Sequence, residues 1–102
     1  MFLRDIAHVR TGDKGNTSQI AIFAYRPEDY RLLVNQVTVD RVAAHLASLT
    51  YRSLRRYELP NLQAINLVLD GALDGGVTRS LALDAHGKTL GAQLLDLEVH
   101  PE

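Results

Sequence analysis

Arg52-Ser53-Leu54-Arg55-Arg56-Tyr57-Glu58-Leu59 and Leu62-Gln63-Ala64-Ile65-Asn66-Leu67-Val68-Leu69 are two extended-pattern runs separated by Pro60-Asn61. Such a pair, with a turn-forming dipeptide between its halves, reads as a β-hairpin. In the second run Ile65, Leu67 and Leu69 share one face of the strand, and Ala64, Asn66 and Val68 share the other. Strands and helices elsewhere in the chain segregate too irregularly for a doubly wound α/β fold. The expectation is therefore an α+β sandwich, a mainly antiparallel sheet with helices packed on one face.

Upstream, Leu3 to Val9 reads as a first strand that places His8 and Arg10 on one side, next to a glycine-containing loop. Ser18 to Tyr25 reads as a second strand, with Ile20 and Ile22 on one face, Ala21, Phe23 and Tyr25 on the other, and both faces at least partly covered. Pro27-Glu28-Asp29 is a helix start, since proline suits the first turn and carboxylates favour the positive end of the helix dipole. That helix is short and breaks near Asn35. Thr38 then caps a second helix with Asp40 in its first turn and Val39, Val42, Ala43, Leu46 and Leu49 at helical spacing. Downstream come a loop from Gly71 to Gly76, a short strand from Arg79 to Asp84, a turn over Asp84-Ala85-His86-Gly87, and a last helix capped by Thr89 that carries Leu90, Leu94, Leu95 and Leu97.

The 102 residues suffice for one hydrophobic core, and 46% apolar content argues against disorder. Eleven Lys and Arg against twelve Asp and Glu leave a formal net charge of −1, so no global field attracts nucleic acid or an anionic membrane; anion binding has to be local. Zero cysteines exclude disulfides, thiolate metal sites, iron–sulfur clusters and a cysteine nucleophile. Charge at Arg4 and Asp5 and the lack of a long apolar run speak against a signal peptide or a bilayer span, and the reading is a cytoplasmic protein.

The most specialised stretch is Arg10-Thr11-Gly12-Asp13-Lys14-Gly15-Asn16. Two glycines three positions apart favour a tight backbone, and a loop of this kind presents several N–H groups to one anion while Lys14 adds a point charge for a phosphate or carboxylate. The competing reading is a strand-to-strand turn with a self-contained Asp13–Lys14 pair. The stretch is not a P-loop, because its glycine-to-lysine spacing is wrong and no Ser or Thr follows. His8, beside Arg10, is a candidate general base or a half-buried strand residue. The spacings of His8, His45, His86 and His100 suggest no metal site, and no serine has a nucleophile-elbow context. Arg52, Arg55 and Arg56, interleaved with Tyr51 and Tyr57, form the only concentrated basic stretch, read as a nucleic-acid or CoA-phosphate contact or as a solvated edge or subunit contact.

Three segments in order, Arg10 to Asn16, Tyr57-Glu58-Leu59-Pro60-Asn61-Leu62 and Asp84-Ala85-His86-Gly87-Lys88-Thr89-Leu90, resemble the small AtuA-like family over nearly the whole chain. Members of that family match the C-terminal domain of the larger acyclic terpene utilisation protein AtuA. The resemblance implies a single ferredoxin-like α+β domain over residues 1–102, with no cofactor, working beside proteins that break down acyclic terpenes or branched acids as CoA thioesters. The leading expectation is an accessory subunit of a larger AtuA-type protein, with Arg10 to Asn16 facing that partner or an anionic ligand such as a CoA thioester. A small hydratase or isomerase that uses His8 or Asp13 to move a proton is the second. A homo-oligomer paired through a sheet edge or face is the third. Neither nucleic acid nor a membrane is an expected partner.

Overall fold

A computed structural model of the chain describes residues 1–47, 51–71 and 90–101. Strands β1 (Ala7–Lys14), β2 (Thr17–Ala24), β3 (Ser53–Leu59) and β4 (Ala64–Asp70) form one antiparallel sheet in the order β1-β2-β4-β3. Helices α1 (Tyr30–Gln36) and α2 (Val39–His45) connect β2 to β3, and α3 (residues 90–95) comes after β4. Because β4 is antiparallel to both of its neighbours, β2 and β3 run parallel with β4 between them. This is the split βαβ arrangement of ferredoxin-like domains.

One feature departs from a plain βαββαβ order. The edge beside β2 is held by β1, which precedes it, and the chain after α3 lies along the N-terminal residues instead. There the Leu3 N–H donates to Leu97 O and the Val99 N–H to Met1 O, each at 2.8 Å.

The register sorts side chains onto two faces. Cross-sheet rows Val9-Ile22-Ile65-Glu58, Thr11-Ile20-Leu67-Arg56 and Asp13-Ser18-Leu69-Leu54 lie on the helix side. Ile20, Ile22, Ile65, Leu67 and Leu69 are fully buried there, packed with Leu33 and Val37 of α1, Val42 of α2 and Leu90 and Leu94 of α3. α3 rests on β1 at Gly91, where a Cβ would stand 3.0 Å from Thr11 Cγ2 and 3.1 Å from Val9 Cγ2. Glycine lets the helix lie this close to the strand without those two methyl groups giving way, against its usual cost of about 1 kcal/mol inside a helix.

Local rules account for most boundaries. Thr38 caps α2, its Oγ1 accepting from the Arg41 N–H at 3.2 Å, with Asp40 in the first turn. Proline 27 opens a 3-10 turn, Pro27–Asp29, which leads into α1. The hairpin between β3 and β4 is a 3-10 turn, Pro60–Leu62, closed by Gln63 at φ 51°.

Two expectations need correction. Leu3–Asp5 is a 3-10 helix, its entry held by the Phe2 N–H donating to Asp5 Oδ2 at 2.8 Å, so the first strand starts only at Ala7. It then runs on to Lys14, through residues expected to be loop, because β2 offers eight consecutive partners from Lys14↔Thr17 to Ala7↔Ala24. Helix α2 ends at His45, short of Leu49. The strand from Arg79 to Asp84, the turn over residues 84–87, the Thr89 cap and most of the Gly71–Gly76 loop lie outside the described residues.

Candidate functional site

Only Gly15 and Asn16 of the Arg10–Asn16 stretch form the turn, a two-residue hairpin connection between β1 and β2. Gly15 has φ +61° while Asn16 has no positive φ, the pattern of a type II′ turn, with glycine at the first central position. Arg10, Thr11, Gly12, Asp13 and Lys14 are strand residues. Alternation along the strand sends Thr11 and Asp13 to the helix side and Arg10, Gly12 and Lys14, with His8, to the opposite face. Asp13 and Lys14 therefore point to opposite sides of the sheet.

That opposite face carries the rows His8-Phe23-Ala64-Leu59, Arg10-Ala21-Asn66-Tyr57, Gly12-Gln19-Val68-Arg55 and Lys14-Thr17-Asp70-Ser53. His8 stacks on Phe23 at 5.2 Å between ring centroids and on Tyr25 at 5.4 Å. Asn66 reaches Gln19 across a long 3.5 Å contact. Exposed Tyr25 and Tyr57 add aromatic surface to the face.

At the turn end of the sheet Asp70 gathers three strands. Its carboxylate accepts from Ser53 Oγ at 2.9 Å and Thr17 Oγ1 at 3.2 Å, and pairs with Arg55 Nη2 at 2.9 Å. The Ser53 bond is the largest cause holding the Asp70 carboxyl below its ordinary value, helped by Thr17 and Arg55 against partial desolvation. A depressed folded-state pKa contributes stability above the unfolded value, lost as pH falls through the folded one. The melting temperature of Asp70→Asn should therefore lie below that of the native chain by a steady margin from about pH 7 to about pH 5, a margin that closes below about pH 4. Thermal melts across this range check it; a margin unchanged down to about pH 2 would contradict it.

The basic stretch divides in the same way. Arg55 lies on the open face with Asp70, and its guanidinium carbon is 6.0 Å from the Tyr57 ring centroid. Arg56 turns to the helix side, where Nε donates to Val37 O at 2.7 Å, Nη2 to Val34 O at 2.8 Å and Nη1 to Glu58 Oε2 at 2.9 Å. It closes the C-terminal end of α1, whose last carbonyls lack intrahelical donors. These arginines do not form one basic surface. The sequence signal for Arg56 is its place in the β3 alternation, which sets it on the helix side opposite Leu67.

In contrast, Arg10 and Lys14 are exposed and have no side-chain hydrogen-bond or ion-pair partner among the described residues. Gly12 lies between them on the same face, and a Cβ built on it meets nothing within 4 Å. The fold gives no conformational reason for glycine at this position, since Gly12 lacks a positive φ. Such a glycine leaves the strand backbone bare on the open face.

A groove of about 420 Å³ lies elsewhere, between Phe2, Arg41, His45 and residues 96–98, and none of residues 8–16 lines it. His45 Nε2 is 2.6 Å from Gln93 O, joining α2 to α3 beside it. Among the described residues no group of three or more His, Asp or Glu side chains is placed to hold a metal ion. No helix among them is long and apolar enough to cross a membrane.

A ferredoxin-like sheet with helices on one face and an open, partly cationic face on the other is the class of domain these features define. The chain belongs to the family of the AtuA ferredoxin-like domain, whose sequence model matches residues 1–100. No curated protein and no solved structure matches it significantly.

Proposed function

We propose that this chain is an accessory subunit that associates with a larger AtuA-type protein in the catabolism of acyclic terpenes or branched acids as CoA thioesters, using the open sheet face along Arg10 to Asn16. The observation that carries the reading is the contrast between the two ends of that face. At the β3 edge of that face Arg55 is paired with Asp70. At the β1 edge Arg10 and Lys14, on either side of Gly12, have no side-chain partner among the described residues.

The same geometry weighs partner against small anion. Arg10 and Lys14, four residues apart on an extended strand, are separated by about 13 Å at the backbone, so the two side chains meet on one phosphate or carboxylate only by both leaning over Gly12. Successive N–H groups of a strand point in opposite directions, so β1 does not converge them as an anion-binding nest does. A protein surface spans such a separation readily. His8 stacks on Phe23 and Tyr25 and has no carboxylate partner among the described residues to orient it, which favours an interaction role over proton transfer.

Native mass spectrometry of the purified chain mixed with the larger AtuA-type protein of the same host tests the reading. A complex of defined stoichiometry at micromolar concentration is expected. Two separate species at that concentration would overturn it.

A further inference from the structure

The edge of β1 away from β2, unpaired among the described residues, has a definite hydrogen-bonding register. The two-residue turn makes Lys14 and Thr17 a hydrogen-bonded pair, and the alternation of an antiparallel ladder then bonds Gly12 to Gln19, Arg10 to Ala21 and His8 to Phe23. The Tyr25 N–H donating to Ile6 O on the β1 side, and the Ala24 N–H donating to Gln63 O on the β4 side, agree with this phase. Val9, Thr11 and Asp13 consequently direct their N–H and C=O groups off the sheet. Among the described residues no other strand pairs with β1, and residues 7–14 make no backbone hydrogen bond outside the β2 ladder. The edge is eight residues long, with no proline and no break in register, and so lacks two of the devices that usually protect an edge.

We infer that the β1 edge is a strand-addition site for an extended acidic segment of a protein partner, one that sets a bulky side chain over Gly12 and a carboxylate on each side of it, against Arg10 and Lys14. The inference rests on the accessory-subunit reading and specifies how that partner would be held. An added antiparallel strand would bond to Val9, Thr11 and Asp13, leaving Arg10, Gly12 and Lys14 in the non-hydrogen-bonded positions. There, facing Cα atoms are closest and cross-strand side chains meet most directly. A large side chain opposite an edge glycine covers the backbone that the glycine leaves bare. Opposite charges in the flanking pairs add attraction, while a second copy of this chain would fit less well. Centred on Gly12, a two-fold pairing sets Arg10 against Lys14, and centred on Thr11 it sets Arg10 against Gly12 and Lys14 against His8, so neither places a carboxylate opposite either cation.

The test uses the full chain and the capped heptapeptide TETFTET, whose glutamates and phenylalanine lie on one face when extended, with TKTFTKT as control. In a backbone NMR titration the amides of Val9, Thr11 and Asp13 should shift and gain protection from hydrogen exchange with the acidic peptide. The basic control should bind at least about tenfold more weakly, as like charges directly opposite oppose pairing. Gly12→Val, which keeps the fold because nothing lies within 4 Å of the added Cβ, should weaken the acidic peptide about tenfold by filling the space over residue 12. Equal binding of both peptides, shifts confined to other residues, or full affinity in Gly12→Val would overturn the inference. So would protection of these three amides before peptide is added, whether in the monomer, which places another part of the chain on the edge, or only in a dimer, which places a second copy there. Should the larger AtuA-type protein bind native chain and Gly12→Val equally, the edge inference falls and the accessory-subunit reading stands. Should that protein fail to bind while the peptide protects the edge, the reading falls and the edge site remains.

Discussion

Replacing Arg56 by alanine is expected to lower folding stability by about 3–5 kcal/mol, because two charge-assisted bonds to carbonyls, each worth about 1.5–3 kcal/mol, disappear together. The side chain is only 16% exposed, so water does not readily replace it at Val34 O and Val37 O. The ion pair with half-exposed Glu58 adds little. Against a total stability of roughly 5–15 kcal/mol this is a large fraction, and the melting temperature should fall by roughly 15 °C or more. Arg56→Lys should recover only part of the loss, as an ammonium cannot present the planar fork that spans both carbonyls. Denaturant and thermal unfolding followed by circular dichroism check this. A loss below about 1 kcal/mol would show that α1 ends without help from β3.

Reversing both charges, Arg10→Glu with Lys14→Glu, is expected to weaken the complex with the larger AtuA-type protein at least about hundredfold, since attraction toward an acidic surface becomes repulsion costing several kcal/mol. Because neither side chain has a partner within the described residues, the same change should leave thermal stability nearly unaltered, within about 0.5 kcal/mol. Isothermal titration of the variant against the partner, with melts in parallel, separates the two effects. The native complex should also weaken as salt rises, for the charges are exposed and screened. Undiminished affinity in the double variant would remove Arg10 and Lys14 from the interface.

Much of the fold was legible in the residues themselves. The alternation of Ile65, Leu67 and Leu69, the apolar stripe around Val42 and the Thr38 cap depend on local periodicity and on a side chain bonding its own backbone, both of which a single sequence carries. The first strand was not legible in the same way. Leu3 and Ile6 are both buried, but through a 3-10 turn held by Asp5, and a short stretch of apolar residues does not distinguish that from a strand. Conversely, Gly12 and Asp13 looked like loop because their strand propensity is poor. They are extended because β2 supplies partners, a tertiary effect.

The site was legible only in composition. Arg10 to Asn16 stands out as specialised, and the structure separates its parts by position: Gly15 in the turn, Gly12 on the open face, and Arg10 and Lys14 on that face without side-chain partners among the described residues. Grouping Arg52, Arg55 and Arg56 as one basic feature missed the strand alternation that sends Arg55 and Arg56 to opposite faces. Nothing in sequence distance indicates that Arg56 reaches back to Val34 and Val37.

The central claim is that the β1 edge and the open face beside it receive a protein partner. Hydrogen–deuterium exchange of the chain alone and in the presence of the larger AtuA-type protein tests it most directly. Slowed exchange concentrated in residues 7–16, with the groove near Phe2 and Arg41 unchanged, is the predicted result. Slowed exchange at that groove with residues 7–16 unaffected, or no change anywhere, would contradict it.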